Sequence, residues 1–362
     1  MKKDNLFGLI MAGGVGSRFW PMSRQSYPKQ FIDVLNCGKT LIQMTYERLS
    51  SFLNPENIFI VTNIEYVPLV KEQIPDFPIQ NILSEPVGRN TAPCIAYGCF
   101  KIQKINPNAA VLICPSDHLI IDENLFQKIV LDSFNVVLQY PMVMTLGIRP
   151  TRPDTGYGYI QFEEEKTEKP YFRVKSFTEK PSLEIAEYFL SSGEYLWNSG
   201  IFIASVQHLI KEYKCYLPDI HEIFSNIEKD LFTENETDQV NDAYLKCPNI
   251  SIDYGIMEKT EQVFVYPASF GWSDLGTWAS LYEHIPLDEN QNAIQGKTIV
   301  FNSHQNMISN KNSDKMIIIE GLDNYIVVDT PDVLMICRKN QEQFIKDIVN
   351  QLKKDRIYDR YL

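Results

Sequence analysis

The segment AGGVGSRFWPMSRQSYPKQF (12–31) carries the first residues that could do chemistry. Gly13, Gly14 and Gly16 allow a backbone to approach a ligand closely, and consecutive N–H groups in such a turn form an anion-binding nest. Arg18, Arg24 and Lys29 follow, and no acidic residue occurs from Gly13 to Ile32, although the chain as a whole carries a net charge of -12. The glycines alone favour a tight turn with solvated cations. The acid-free clustering of charge in an acidic chain points instead to a polyphosphate ligand. Two other phosphate motifs do not fit. A dinucleotide fingerprint needs a third glycine where Phe19 stands, and Pro21 and Pro28 oppose an immediate long helix. Gly38-Lys39-Thr40 resembles the end of a P-loop, but Asp33 occupies the position of its first glycine. We read it as the lead-in to a helix, with Thr40 as a candidate N-cap.

These residues need a scaffold, and the flanking pattern supplies one. Apolar strand-like runs (LFGLIMAG, NIFIVTN, IQNILSEP, AAVLICPSD, MVMTLGI) alternate with helical stretches through the first half. Nearly continuous apolar runs are expected of strands covered on both faces. The alternation predicts an α/β fold with an open, mostly parallel, Rossmann-like sheet. Ligands of such sheets lie beyond the carboxyl ends of the strands. The glycine cluster, SEPVGRNTAP (84–93) and CPSDH (114–118) all fall at such ends. The second half mixes strands and helices. After about residue 285 short strands are broken by Asn, Asp, Gly and Ser, and a final helix follows. This gives a catalytic domain over 1–285 and a small β-rich domain over 286–362.

Composition sets bounds on function. The 362 residues are 44% hydrophobic and 12% aromatic, ample for a buried core. No run is apolar enough to span a bilayer, and the N-terminus lacks the long apolar core of a signal peptide. These features predict a cytoplasmic protein with no membrane partner. The acidic balance opposes nucleic-acid binding, which calls for a basic stripe. Seven cysteines without a C-x-x-C pair read as free, buried thiols rather than zinc or redox ligands.

The motif at 12–31 resembles the signature of the sugar-1-phosphate nucleotidylyltransferases. Its Phe19-Trp20-Pro21 and closing PKQF are similar to the mannose-1-phosphate guanylyltransferase branch. SEPVGRNTAP (84–93), PSDH (115–118), FTEKP (177–181), WNSGIF (197–202), SIDYGIMEK (251–259) and GWSDLGTW (271–278) follow in the family order. The resemblance covers about residues 6–285 and, more loosely, the tail, whose short strands resemble a left-handed β-helix piece used for self-association. It implies a nucleotidyltransferase / glycosyltransferase-A-like fold, and a reaction joining GTP and α-D-mannose 1-phosphate into GDP-mannose and pyrophosphate. It also implies Mg²⁺ as cofactor and a homodimer. Some relatives carry a fused cupin-type isomerase domain, for which this chain is too short, so only the transferase activity is implied.

A sugar phosphate has a second pKa near ~6 and is already a nucleophile. What it needs is alignment and relief of charge repulsion. The resemblance assigns Arg18 to the departing pyrophosphate and Lys29 to the α-phosphate region, with Arg24 either a clamp or a surface cation. Asp117, at the end of an apolar strand, and Asp274 suit Mg²⁺, which takes oxygen ligands and keeps several waters. Either could instead be a turn or helix-cap aspartate. Gly13, Gly14 and Gly16 would approach the nucleotide. Glu85 can accept from the guanine N1–H and N2 amine. Asn90 and Thr91 belong to the same base-reading segment, although one is expected to cap the following helix. On the sugar side stand Gly156, Gly158, Glu179, Asn198 and Asp253, with Lys180 on the sugar phosphate. His118 reads as structural, and Trp197, Trp272 and Trp278 as core or pocket wall. Another sugar 1-phosphate such as a manno-heptose, a pyrimidine nucleotide donor, or a catalytically silent sugar-nucleotide sensor remain open alternatives.

Overall fold

The apolar runs of the first half become neighbouring parallel strands. In the computed structural model, which describes residues 3–163, 169–312 and 314–362, β1 (Leu6–Met11), β2 (Ile58–Asn63), β3 (Ile82–Glu85) and β4 (Ala110–Pro115) pair in parallel, in the order β3-β2-β1-β4. Leu6 to Ile10 of β1 and Ala110 to Cys114 of β4 are buried throughout. The carboxyl ends of these strands therefore lie along one edge of the sheet.

Five more strands complete it: β5 (Val143–Ile148), β6 (Gly158–Phe162), β7 (Phe172–Glu179), β8 (Tyr195–Ser205) and β9 (Val263–Ala268). The full order is β3-β2-β1-β4-β8-β5-β9-β7-β6. The long β8 runs antiparallel between β4 and β5, β9 is parallel to β5, and β6 and β7 form an antiparallel pair. A strand buried on both faces reads the same in either direction, so the periodicity that located these strands left their direction open. The core on the helical side is built around Phe100, Tyr213, Phe224 and Tyr244. Tyr213 donates its hydroxyl to the Ala92 carbonyl at 2.7 Å, which pins the first turn of the helix Thr91–Ile105.

The chain forms two compact units that do not follow chain order. The sheet belongs to the unit 1–13, 45–116 and 120–272; the other comprises 14–44, 117–119 and 273–362. In the second, β10 (Ala293–Gln295), β12 (Met307–Asn310) and β14 (Tyr325–Asp329) stack in parallel register, with Met307 opposite both Ala293 and Ile326. β11 (Thr298–Phe301) and β13 (Ile317–Glu320) form a second parallel pair. β15 (Leu334–Arg338) pairs antiparallel with β14 and so ends the parallel stack. Asparagines that read as strand breakers form an internal ladder. Asn306 donates to the side chain of Asn292 at 2.9 Å, Asn292 donates to the Ser303 carbonyl at 3.0 Å, and both asparagines are fully buried. Buried amides are tolerated because they are paired in this way.

The glycine-rich segment shares this unit's core. Phe19 and Trp20 cluster with Trp278, Met307, Ile326, and Ile345 and Val349 of the final helix Phe344–Leu352. Trp20 donates to the Tyr361 carbonyl at 2.7 Å, and Trp278 donates to the Trp20 carbonyl at 3.3 Å. All seven cysteines are free; Cys94, Cys99, Cys114 and Cys247 are buried, but Cys37 and Cys215 are exposed, contrary to the expectation of buried thiols. Among the described residues no helix is long and apolar enough to cross a membrane.

Candidate active site

The phosphate-facing candidates are organised by the backbone at Gly16. This residue adopts φ +72°, and a Cβ there would lie 2.6 Å from the Cβ of Lys29, so only glycine fits. Its carbonyl accepts from Phe19 N–H at 2.9 Å and from the Ser23 hydroxyl at 2.6 Å, and Lys29 N–H donates to the Val15 carbonyl at 3.2 Å. Instead of a long helix the segment makes two short 3₁₀ turns, Ser17–Phe19 and Lys29–Phe31, as the prolines require.

Lys29 is 3% exposed. Its ammonium donates to the carbonyls of Asp274 at 2.7 Å and Leu275 at 3.1 Å, and lies 2.7 Å from Asp117 Oδ2. One cation thus ties together three segments remote in sequence. Burial acts to raise the Asp117 pKa, but the Lys29 charge and hydrogen bond, aided by His118, outweigh it and hold the carboxyl below its ordinary value. Gly16, Arg18, Lys29, Asp117, His118 and Asp274 line one cavity of about 280 Å³. His118, read from the sequence as structural, therefore belongs to its wall.

The helix-cap role open to these aspartates is taken by other residues. Asp122 caps the helix Glu123–Val137, and Thr277 caps Trp278–Tyr282 in a reciprocal box with Ser280. Asp274 instead receives Gly276 N–H at 2.9 Å, which shapes its own loop. Among the described residues no group of three or more His, Cys, Asp or Glu side chains is placed to hold a metal. Two carboxylates facing one cavity beside cations is a donor set too sparse for zinc. It suits a hard divalent ion that takes its remaining ligands from water and substrate phosphates.

The base-reading candidates start at Glu85, the last residue of β3. Its carboxylate is 4% exposed and packs beside Gly13, where a Cβ would stand 3.2 Å from Oε2. Oε1 has no hydrogen-bond partner among the described residues. Burial pushes the Glu85 pKa up to about 7, and the nearby Tyr244 hydroxyl only partly offsets this. An unsatisfied buried acceptor is costly without a ligand, so Glu85 is prepared to receive donors. Asn90, at φ +68°, is the helix cap; its side chain accepts from Thr91 N–H at 2.9 Å. Thr91 Oγ1 accepts from Ile252 N–H at 2.9 Å. Both residues thus shape the segment as well as border it. Arg89 donates to the carbonyls of Tyr244 and Leu245.

The sugar-side candidates converge as a group. Asn198 donates to Asp253 Oδ1 at 2.8 Å and accepts from Gly200 N–H at 3.1 Å. Glu179 pairs with Lys180, and a Cβ on Gly158 would strike the Glu179 carboxylate. Burial, then the Glu179 charge, raises the Asp253 pKa to about 6, against the Asn198 hydrogen bond. Asp253 opens a five-residue π turn, Asp253–Met257, a rare geometry that recurs at functional sites. Trp197 and Trp272 stand edge-on to Tyr157 at 4.9 and 5.2 Å, as wall residues.

Some supporting residues carried no sequence signal. Asp154 accepts from Gly156 N–H at 2.8 Å and from Arg152 Nε at 3.1 Å, which fixes the turn before β6. Asp332 pairs with Arg24 at 2.8 Å, while Arg24 Nε donates to the Pro21 carbonyl at 2.6 Å. Arg24 therefore serves the architecture of the loop.

A model of the nucleotidyl transferase family matches residues 7–291, and a model of the MannoseP isomerase/GMP-like beta-helix domain matches 296–352. The chain belongs to the nucleotidyl transferase family, with a C-terminal β-rich domain. Its relatives include the mannose-1-phosphate guanylyltransferase of Salmonella montevideo, 38% identical over 353 residues, covering 95% of this chain and 73% of that protein. The mannose-1-phosphate guanylyltransferase of Escherichia coli K12 is 35% identical over 366 residues, covering 98% and 75%. The crystal structure of mannose-1-phosphate geranyltransferase from Thermus thermophilus matches with a TM-score of 0.85 at 28% identity, over 96% of this chain and 99% of that one.

Proposed function

We propose that the chain is a mannose-1-phosphate guanylyltransferase, making GDP-mannose and pyrophosphate from GTP and α-D-mannose 1-phosphate. A phosphate oxygen of the sugar phosphate attacks the α-phosphorus of GTP. The new P–O bond forms as the bond to the β-phosphate oxygen breaks, and pyrophosphate leaves with that electron pair. No covalent enzyme intermediate is required. Arg18 faces the leaving pyrophosphate. Lys29 keeps its two carbonyl anchors and offers the α-phosphate the N–H now directed at Asp117. Asp117 and Asp274 are the residues that would hold Mg²⁺, which would offset the charge of the crowded phosphates. Gly13, Gly14 and Gly16 bring backbone N–H groups to the nucleotide, Glu85 accepts from the guanine edge, and Asn90 and Thr91 border it. Gly156, Gly158, Glu179, Asn198 and Asp253 take the sugar hydroxyls, with Lys180 on its phosphate.

The observation that carries this reading is the opening of Arg18, Lys29, Asp117 and Asp274 into one cavity from three separated segments. The enzyme works in the cytoplasm on soluble substrates. Self-association is supported by Ile299, Phe301 and Ile318, exposed side chains of the β11–β13 pair.

A pyrophosphate-release assay crossing four nucleoside triphosphates with several sugar 1-phosphates, with and without magnesium, tests the proposal. Turnover is expected with GTP, mannose 1-phosphate and magnesium together. A preference for dTTP or UTP contradicts the base assignment, a preference for another sugar 1-phosphate contradicts the sugar assignment, and binding without turnover identifies a sensor.

A further inference from the structure

Two adjacent side chains just before the final helix reach a lining residue of the phosphate-facing cavity and the short helix that follows the Asp274 loop. Gln343 Oε1 accepts from Arg18 Nε at 3.0 Å. Glu342 Oε2 accepts from Ala279 N–H at 2.8 Å, in the first turn of the helix that follows the Asp274 loop. These two residues stand on a firm base, because Ile345 and Val349 of the final helix are buried in the cluster that contains Phe19, Trp20 and Trp278. The dipeptide therefore spans from the residue assigned to the leaving pyrophosphate to the helix that follows the loop carrying one of the two carboxylates.

We infer that Gln343 is a positioning residue for the transferase reaction, acting through Arg18, with Glu342 fixing the start of the helix Trp278–Tyr282. The inference rests on the assignment of Arg18 to phosphate. The chemistry is specific. Arg18 is only partly buried, and a free arginine has large rotamer entropy to lose when it grips a phosphate. The guanidinium is planar, with five donors in a fixed fork. A single acceptor on Nε sets the plane and leaves the paired terminal nitrogens to meet an anion in bidentate fashion. Gln343 suits this task because it is neutral, so it orients the guanidinium without neutralising the charge intended for pyrophosphate. Gln343 itself is exposed, so its removal should not open a cavity or strand a buried polar group. The C-terminal segment is thereby part of the catalytic apparatus, in addition to any role in self-association.

The test is steady-state kinetics on Gln343→Leu, which removes the acceptor at similar size, and Gln343→Glu, which retains one. Each is made in the natural background and with Arg18→Ala, and thermal melting is recorded for all. Gln343→Leu is expected to lower kcat/KM for GTP roughly three- to tenfold, as loss of a solvent-exposed hydrogen bond to a charged group should. KM for mannose 1-phosphate should stay within about twofold, and the melting temperature within about 2 °C. Gln343→Glu, which keeps the acceptor but adds the charge that glutamine withholds, should stay well below the natural protein, and Gln343→Leu should cost nothing further in the Arg18→Ala background. An equal loss with and without Arg18, or no loss at all while Arg18→Ala is crippled, overturns this inference alone. Unimpaired turnover in Arg18→Ala itself overturns the phosphate assignment and this inference together.

Discussion

Asp117→Asn is expected to cut kcat by roughly 10³-fold, the scale seen when an electrostatic stabiliser of a transition state is lost, while the protein still folds. An amide is a weaker ligand for a hard cation than a carboxylate, so the charge of the reacting phosphates goes uncompensated. The structural cost is smaller. Lys29 retains the carbonyls of Asp274 and Leu275, and the new side-chain amide oxygen replaces the carboxylate at the third N–H. What is lost is the counter-charge to a nearly buried ammonium, worth about 1–3 kcal/mol, or a few degrees in melting temperature. The sign with pH is fixed by the depressed folded pKa of Asp117. Its stabilisation is present above the unfolded carboxylate pKa and lost as pH falls through the folded value. The stability gap between natural protein and variant should therefore close in acid. Single-turnover pyrophosphate release and melting curves across pH read both quantities. A variant that unfolds outright, or that keeps full turnover, contradicts the role given to Asp117.

Glu85→Gln separates recognition from stability in opposite directions. With GTP, the loss of a buried acceptor facing two guanine donors should lower kcat/KM by roughly 10²–10³-fold. Without ligand, the same change should stabilise the protein at alkaline pH. Burial raises the folded pKa of Glu85 to about 7 from an ordinary value of 4.5. The folded state therefore binds the proton more tightly, and stability is lost as pH rises from the lower value through the higher. The neutral amide escapes that loss. The variant should melt several degrees higher than the natural protein at pH 8, with the advantage disappearing towards pH 4.5. Differential scanning calorimetry without nucleotide checks the sign. A variant destabilised at pH 8 shows that the Glu85 carboxylate is already well satisfied in the free protein.

The contrast between Lys29 and Arg24 shows what was legible in the sequence. Both stood out as cations in an acid-free stretch, and no local pattern separates them. Their roles are decided by residues far along the chain: Asp117, Asp274 and Leu275 gather round Lys29, whereas Asp332 takes Arg24. Gln343 and Asp154 were silent for the same reason, since a single polar residue in a polar stretch gains meaning only from its partner. Near-continuous apolar runs located β1 to β4, because burial on both faces leaves a local trace, and the alternation of those runs with helical stretches made their parallel pairing readable. The insertion of β8 between β4 and β5 leaves none. Asn292 and Asn306 misled in a consistent way. Asparagine ordinarily favours turns, but here the two form a buried ladder whose regular spacing appears only once the strands are stacked. Glu85 was legible as a carboxylate in a motif, but its orphaned oxygen was not.

The proposed transfer requires Asp117 and Asp274 to serve one cation while basic side chains hold the phosphates. Titration of Mn²⁺ by electron paramagnetic resonance, with a non-hydrolysable GTP analogue present, puts this to the test in the natural protein, Asp117→Asn and Asp274→Asn. A site is expected in the natural protein that each substitution alone weakens by at least roughly tenfold, as loss of a charged oxygen ligand should. Natural Mn²⁺ affinity in either variant would contradict it, because that carboxylate would then lie outside the ion's coordination.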